Sequence, residues 1–214
     1  MAWFECNGGG NTPVPTPIPP LPDTYQRVQY LDFQGAYFDV SIPATSIWNT
    51  EFDTSEVSTT NAQGVWGYRI GSTNDEDFYL RITTNISSAS LWSRNTLGVS
   101  NFVTASDILP NTKASVWNMT NLTRTSAYIG GYNIPATNTT KYAKYEFYGK
   151  LYKHTGYIID DNGFLVPACD FVPCYRKSDN QVGLYERFSE IFYVPTLLTI
   201  GSSLGSITAG PDVN

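Results

Sequence analysis

The stretch FVPCYRKSDNQVGLYERFSEIFYV, Phe171 to Val194, carries the signals that decide the fold of this chain. In it, short apolar runs alternate with residues that end strands or form turns. Pro173 predicts a strand end, Ser178-Asp179-Asn180 predicts a turn, and Gly183 predicts a close approach of two backbones. Two further side chains are expected to pack: Leu184 and Tyr185. The stretch therefore predicts short strands and a structural role, with direct ligand contact as the alternative.

The rest of the chain also favours β-structure. It has 214 residues, of which 15% are charged, and Thr, Ser, Asn and Gly are abundant, a composition typical of strands and turns. In GAYFDVSIP every second residue is apolar and one face is predicted to be buried: Ala36, Phe38, Val40 and Ile42. DFYLRITT, which begins at Asp77, shows the same alternation, and no helical period of any length is present.

Turn signals predict two hairpins. Asp161-Asn162-Gly163 lies between two long apolar-polar segments, and Asn-Gly is the strongest short hairpin signal. ASVWNMTN and TSAYIGGYN are predicted to form a second hairpin that turns near Thr120-Asn121. Many short strands without crossover helices imply an all-β fold, an antiparallel two-sheet sandwich and most simply a jelly roll.

The charge and the termini exclude some classes of protein. A net charge of −6 without a basic cluster argues against a nucleic-acid partner. No apolar run reaches the roughly 18 residues of a membrane-spanning helix, so membrane insertion is not expected. The opening MAWFECNGGG lacks the features of a signal peptide, which favours synthesis in a reducing cytoplasm.

The few cysteines and the single histidine predict little chemistry. Three cysteines give no disulfide framework, and Cys169 and Cys174 are expected to be free thiols, with pairing across a turn as the alternative. His154 is the one histidine, so neither a zinc site nor histidine-based catalysis is expected. We expect it to be a surface or strand residue, and we expect the chain to need no cofactor.

The first 24 residues differ from the rest. Residues 11–22 read NTPVPTPIPPLP, a run that favours an extended polyproline II spacer whose ends lie roughly 35 Å apart. We predict a docking peptide at 1–12, a Pro-rich linker at 13–24 and a folded domain at 25–214. The aromatic side chains of Trp3 and Phe4 would insert into a larger particle, and a disordered leader is the alternative.

Two parts of the chain resemble a known family. YQRVQYLDFQGAYFDV, Tyr25 to Val40, is similar to the entry strands of concanavalin A-like, LamG-like jelly-roll domains of tailed bacteriophages and prophages. Tyr148–Val194, followed by Gly205–Val213, resembles the family's run of a strand, an Asp-Asn-Gly turn, a strand ending in Phe-(Ile/Val)-Pro-Cys, a polar loop and Val-Gly-Leu-Tyr-Asp. Glu186 stands where the family commonly has that Asp, and Asp32-Phe33-Gln34-Gly35 replaces its usual Ser-Thr-Gly triplet.

The resemblance implies a virion-associated phage protein, either a head fibre, a decoration protein or a tail-associated protein. It would be made in the bacterial cytoplasm and held on the virion by a capsid or tail protein that binds its N-terminal segment. The jelly roll would bind carbohydrate or another surface component of the bacterial host, or of its mucosal surroundings, as a small homo-oligomer with many copies per particle. The alternatives, in order, are a purely structural decoration protein, a glycoside hydrolase and a secreted LamG-like adhesion module.

The hydrolase alternative depends on EFDTSE, residues 51–56. Concanavalin A-like endo-glucanases carry Glu-x-Asp-x-(x)-Glu, and Glu51, Asp53 and Glu56 fit that spacing. Alternation puts Glu51 and Asp53 on one face of the strand, and a bulge would return Glu56 to that face. A retaining mechanism needs a nucleophile and a general acid whose carboxyl groups lie about 5 Å apart. Thr54 and Ser55 replace the apolar residues that would bury such a motif, so we expect no catalysis.

Carbohydrate binding needs exposed aromatic faces with polar neighbours. The candidates among the aromatic and amide residues are Trp48, Trp66, Trp92, Trp117, Tyr132, Asn95 and Asn118. From these we predict a ligand site of four residues: Trp66, Trp92, Tyr132 and Asn95. For a metal, Asn74, Asp75, Glu76 and Asp77 could hold calcium as LamG-like domains sometimes do, but a solvated acidic turn is favoured.

Overall fold

The structure is a computed structural model that describes residues 17–44, 47–54, 63–68, 78–82, 89–94, 100–105, 112–119, 125–133, 143–144, 146–200 and 203–214. All regular secondary structure in these ranges is β-strand, which confirms the predicted all-β class. None of the described segments forms a helix long and apolar enough to cross a bilayer. Trp3 and Phe4, which were predicted to dock, lie outside the described ranges, and residues 17–22 of the predicted linker belong to no strand.

The strands follow one another along the chain and most are short. In chain order they are β1 (Tyr25–Arg27), β2 (Leu31–Gln34), β3 (Ala36–Ser41), β4 (Ile47–Thr54), β5 (Gln63–Tyr68), β6 (Phe78–Ile82), β7 (Ala89–Arg94), β8 (Ser100–Ala105), β9 (Ala114–Met119), β10 (Ser126–Ile129), β11 (Tyr132–Asn133), β12 (Ala143–Lys144), β13 (Tyr148–Ile159), β14 (Leu165–Arg176), β15 (Gln181–Glu186), β16 (Ile191–Tyr193), β17 (Thr196–Leu197), β18 (Thr199–Ile200), β19 (Ser203–Leu204) and β20 (Ser206–Ala209).

Two large antiparallel sheets contain most of these strands. The nine-stranded sheet has the order β16-β15-β14-β13-β2-β20, with β1 paired to β14, β4 paired to β13 and β9 paired to β4. The seven-stranded sheet has the order β17-β3-β10-β5-β6-β7-β8. Two short pairs, β11–β12 and β18–β19, account for the other strands of the described residues.

The two sheets pack on each other around one core. Trp48 of the nine-stranded sheet contacts Trp66 of the seven-stranded sheet, with ring centroids 4.7 Å apart. Phe33 and Phe38 make a second contact between the sheets at 5.8 Å, and all four side chains are at most 1% exposed. Burying each of them stabilises the fold by roughly 1.5–3 kcal/mol before chain entropy is counted. The arrangement is a β-sandwich.

Strand β3 shows the predicted alternation. Its inward positions and the residue after it are at most 3% exposed: Ala36, Phe38, Val40 and Ile42. Asp39 on the other face is exposed. Tyr37 shares that outward face but is only 8% exposed, because Tyr128 and Leu198 pack against it.

One predicted hairpin is confirmed and the other is wrong. β13 and β14 pair around Asp161-Asn162-Gly163, where Gly163 has a φ of 84° and Asp160 Oδ1 accepts the N–H groups of Asn162 and Phe164. β9 and β10 do not pair with each other, because β9 pairs with β4 and β10 pairs with β3 and β5. The chain between them thus crosses from one sheet to the other.

The stretch Phe171–Val194 forms β14, β15 and β16, and its predicted turn is confirmed by a turn at residues 177–180. Leu184 and Tyr185 are buried, at 0% and 4% exposure. The predicted strand end at Pro173 is wrong, since Pro173 lies inside β14. Along one edge of β14, the pairing with β13 ends at Phe171 and the pairing with β1 begins at Cys174. Pro173 lies between these two ladders, so its missing N–H breaks no ladder hydrogen bond.

Cys169 and Cys174 are free thiols, as expected, and both are buried. Cys169 belongs to the core, whereas Cys174 lies five residues further along β14, on the opposite face of the sheet. Burial raises the pKa of the Cys174 thiol to about 12 and raises that of Cys169 as well. Both side chains are therefore protonated and unreactive at neutral pH.

His154 is a strand residue in the centre of the core, not at the surface. It is fully buried, stacks on Trp48 with ring centroids 4.5 Å apart, and contacts Trp66 at 4.8 Å. Its Nδ1 lies 3.0 Å from Thr50 Oγ1, and its Nε2 has no hydrogen-bond partner among the described groups. Burial lowers the pKa of His154 to about 3, so the imidazole is neutral in the folded chain.

The stability of the fold should therefore fall as the pH drops below about 6.5. The unfolded state binds a proton on His154 near its ordinary pKa of 6.5 and the folded state binds it only near 3. The free energy of unfolding should decrease by about 1.4 kcal/mol per pH unit in this window. Urea titrations of the wild type and of His154→Gln test this: because the chain has one histidine, the variant should show a flat profile between about pH 7 and pH 5.5. Parallel profiles would contradict it.

Gly183 should be intolerant of a side chain. A Cβ there would lie 2.4 Å from the carbonyl oxygen of Tyr193 and 2.5 Å from the ring of Phe192. Gly183→Ala should lower the free energy of unfolding by about 1–3 kcal/mol, measured by thermal or urea denaturation. Gly163→Asn is the matched control, since a Cβ at Gly163 meets no atom within 4 Å and Asn tolerates the positive φ. Equal effects of the two variants would contradict the steric explanation.

Candidate functional site on the outer face of the nine-stranded sheet

The nine-stranded sheet turns one face away from the core, here called the outer face. In β4 the inward side chains are at most 1% exposed: Trp48, Thr50 and Phe52. Alternation puts Asn49, Glu51 and Asp53 on the outer face, together with Ile47 at the start of the strand. The outer face is thus polar along β4 from Asn49 to Asp53.

A β-bulge in β13 adds one side chain to this face. Leu151 pairs with Phe52 and Lys153 pairs with Glu51, so Tyr152 is the extra residue of the bulge. Leu151 and His154 are buried in the core, and Tyr152 and Lys153 between them both line the outer face. A bulge is a common way to re-aim side chains toward a site.

Asp53 holds Tyr152 in place. Its Oδ2 accepts the Tyr152 hydroxyl at 2.8 Å and its Oδ1 accepts the backbone N–H of Lys150 at 3.2 Å. Burial of the phenol, reinforced by the hydrogen bond to Asp53, raises the pKa of Tyr152. Tyr152 is therefore neutral and donates a hydrogen bond to the carboxylate at any physiological pH.

Two lysines cover the tyrosine rings beside Asp53. The Nζ of Lys113 lies 4.9 Å from the ring centroid of Tyr152, and that of Lys150 lies 4.9 Å from the ring centroid of Tyr30. Lys113 also forms an ion pair with Glu51. These contacts link the rings and charges of the outer face into one network around Tyr152.

The outer face contains an opening where β13 separates from β14, here called the fork. His154 pairs with Phe171, but further along β14 pairs with β1 and β13 pairs with β2. Val28 lies at the base of the fork and is 1% exposed. Its backbone N–H donates a hydrogen bond to the carbonyl oxygen of Pro173 at 3.0 Å. The separation of the strands leaves two adjoining clefts at the surface.

The clefts have different sizes and share three side chains. The smaller, of about 60 Å³, is lined by residues of β13 and β14 with Arg187, and the larger, of about 460 Å³, extends past Gln29 to Glu51 and Lys113. Both are lined by the same central residues: Arg27, Tyr152 and Lys153.

Asp170 and Glu186 support this region without being free acids. Asp170 accepts Thr155 Oγ1 at 2.5 Å and Arg187 Nε at 2.6 Å. Glu186 accepts the backbone N–H groups of Asp170, Phe188 and Ser189 at 2.8, 3.1 and 2.6 Å. The Glu186 carboxylate therefore stabilises the turn between β15 and β16, which is a structural role for the Leu-Tyr-Glu sequence.

An exposed aromatic pair lies further along the same face. Trp117 of β9 is 50% exposed, and its ring centroid is 5.4 Å from that of Tyr157 on β13. Trp117 pairs across the strands with Asn49, which places it on the outer face. Burial raises the pKa of Tyr157. The pair offers a flat apolar surface beside polar positions.

The predicted ligand residues are not brought together by the structure. Trp66 is 1% exposed in the core, so its ring cannot receive a sugar in this conformation, and that part of the prediction is corrected. Trp92 lies in β7 opposite Phe102, and Tyr132 lies in β11 opposite Lys144, but their side chains are outside what is described. Asn95 lies outside the described residues.

The EFDTSE motif is only partly described. Glu51 and Asp53 share the outer face as predicted from alternation, and Glu56 lies outside the described residues. The Asp53 side chain is 5% exposed and both its oxygens accept hydrogen bonds, while Glu51 is paired with Lys113. The arrangement orders the face around Tyr152.

No metal site is formed by the described residues: nowhere in them do three or more His, Cys, Asp or Glu side chains converge. The acidic turn Asn74–Asp77, considered for calcium, lies outside the described ranges.

Arg27, Tyr152, Lys153 and Tyr157 were missed by sequence reasoning, and Trp117 appeared only among the wider set of candidates. Tyr152 and Lys153 are adjacent in sequence, so alternation predicts opposite faces, and only the bulge puts them together. For Trp117 a weak signal exists in ASVWNM, where Ala114 and Val116 mark the apolar face and Trp117 shares the other face with Ser115.

Comparisons with protein-family models, with curated proteins and with solved structures give no match to this chain. The resemblance to concanavalin A-like phage domains accordingly stays a prediction from the sequence.

Removing the Tyr152 hydroxyl should destabilise the fold. Tyr152→Phe leaves Asp53, whose side chain is 5% exposed, with one hydrogen bond fewer, so the free energy of unfolding should fall by about 1–3 kcal/mol. Tyr30→Phe is the control, since it removes the hydroxyl of the neighbouring ring, 5.4 Å away, without touching Asp53. Denaturation curves that shift equally for both variants would show that the Tyr152–Asp53 bond contributes nothing.

Proposed function

We propose that this chain is a virion-associated protein of a tailed bacteriophage that binds carbohydrate through the outer face of its nine-stranded sheet. The observation that carries the binding part is Trp117, a large aromatic side chain left half exposed beside Tyr157. Sugars stack on such rings while their hydroxyl groups bond to polar neighbours. A solvent-facing aromatic among polar groups is the feature that favours a binding protein over a purely structural decoration protein.

The polar partners lie along the same strands. Ser115 precedes Trp117 on the outer side of β9, opposite Glu51, and Lys113 lies just before that strand. On β13, Lys153 is four residues from Tyr157, about 13 Å along the strand. Hydrogen-bonding groups and a stacking surface therefore lie within the reach of one short oligosaccharide.

The virion assignment is supported by the sequence resemblance of the Tyr148–Val194 segment. In this proposal residues 1–12 bind a capsid or tail protein, the Pro-rich residues 13–24 form a spacer, and the sandwich is a concanavalin A-like jelly roll displayed outside. Several copies at each attachment point, as a small homo-oligomer, would convert a weak single-site affinity into firm attachment.

The test is retention of polysaccharide by the full chain displayed in many copies on beads. Bacterial surface polysaccharides and mucin glycans are applied, and Trp117→Ala should reduce retention at least about tenfold, since losing an aromatic anchor costs more than ~1.4 kcal/mol. Phe164→Ala is the matched control, because Phe164 is an exposed aromatic, at 43%, on the β13–β14 hairpin.

Three results would contradict the proposal. Equal retention by Trp117→Ala and wild type would place the site elsewhere. No retention of any glycan at high valency would leave a purely structural decoration protein. Oligosaccharide released into the supernatant, and lost in Glu51→Gln, would make the chain a glycoside hydrolase.

A further inference from the structure

The two clefts at the fork have a charge balance opposite to that of the whole chain. Four basic side chains line them: Arg27, Lys113, Lys153 and Arg187. Two acidic side chains line them: Glu51 and Asp170. The chain as a whole carries a net charge of −6. The fork is therefore a local positive region on an acidic protein.

Ion pairs neutralise two of the four basic side chains and leave the other two without a carboxylate partner in the described part of the chain. Lys113 is paired with Glu51, and Arg187 is paired with Asp170 at 2.6 Å. Among the described residues, Arg27 and Lys153 have no carboxylate partner and no side-chain hydrogen bond. These two are also the basic residues that line both clefts, so the unneutralised charge lies where the clefts meet.

We infer that the fork binds the anionic group of an acidic saccharide, a carboxylate or a sulfate, between Arg27 and Lys153. The guanidinium of Arg27 can hold two oxygens of such a group at once, and Lys153 adds a second charge. The ring of Tyr152 lies between the clefts, held by its bond to Asp53, and provides the apolar surface for the sugar.

The neighbouring carboxylates leave the charges of Arg27 and Lys153 available to an anionic ligand. Asp53 and Asp170 are each 5% exposed and lie against other cations: Asp53 Oδ2 is 4.0 Å from Lys150 Nζ, and Asp170 is paired with Arg187. The larger cleft, of about 460 Å³, has room for sugar beyond the anionic group. The inference depends on the proposed function, because it names the class of carbohydrate that the outer face takes.

The test compares charged and neutral forms of one oligosaccharide on the immobilised full chain. The probes are a galacturonate oligomer, its methyl ester, and a sulfated dextran oligomer with its unsulfated parent. The wild type should bind an acidic form at least about tenfold more tightly than its neutral partner, with the preference weakening as salt rises. The two acidic probes distinguish a carboxylate from a sulfate.

Arg27→Gln and Lys153→Gln should each weaken binding of the acidic probe about tenfold, and Arg27→Gln should leave binding of the neutral probe unchanged. Lys177→Gln, which removes the same charge from an exposed turn, is the control and should change neither. Thermal melting establishes that each variant folds, and the salt dependence of the wild type tests the inference without any variant.

The outcomes separate the two proposals. Equal binding of acidic and neutral probes, together with loss of both in Trp117→Ala, would overturn the anionic site and leave carbohydrate binding in place. The anionic site would also be overturned if Arg27→Gln and Lys153→Gln bound the acidic probe as tightly as Lys177→Gln does. Retention of no probe would overturn both proposals.

Discussion

β13 pairs with different strands along its length, and the rest of the structure depends on this change of partner. Along one edge it pairs with β4, and along the other it pairs first with β2 and then with β14. The change of partner requires β13 and β14 to separate, and Val28 fills the gap from below. The bulge at Tyr152 occurs at this point, so one irregularity in strand pairing produces both the clefts and the side chains that line them.

The same strand connects the polar face with the apolar core. His154 lies on one side of β13 among Trp48, Trp66 and Phe171, and the residues next to it, Lys153 and Thr155, lie on the other. A neutral histidine packed between indole rings cannot shift without disturbing the sheet that carries Lys153. The positions of the outer-face charges are therefore set by close packing in the core.

Local patterns predicted the parts of the fold that depend on neighbours in sequence. Alternation gave the buried face of β3, and Asn-Gly gave the β13–β14 hairpin. The crossing from β9 to β10 was not predictable, because two strands near in sequence form an equally good hairpin unless their partners are known. The exposure of Trp117, against the burial of Trp66, is likewise decided by strands far away in the chain: Trp117 meets Tyr157, whereas Trp66 meets Trp48 from the opposite sheet. Motif spacing placed Glu51 and Asp53 on one face, but the pairing of their charges with Lys113 and Tyr152 is a tertiary property.

The two buried cysteines of β14 make the chain suited to labelling kinetics. Cys169 faces the core between the sheets, and Cys174 faces outward, opposite Arg27 beside the fork. A thiol reagent can reach Cys169 only when the two sheets separate. It can reach Cys174 only when the side chains that cover the outer face of β14 move away. The rates at which the two react would report separately on how often each side of a single strand opens, without any engineered probe.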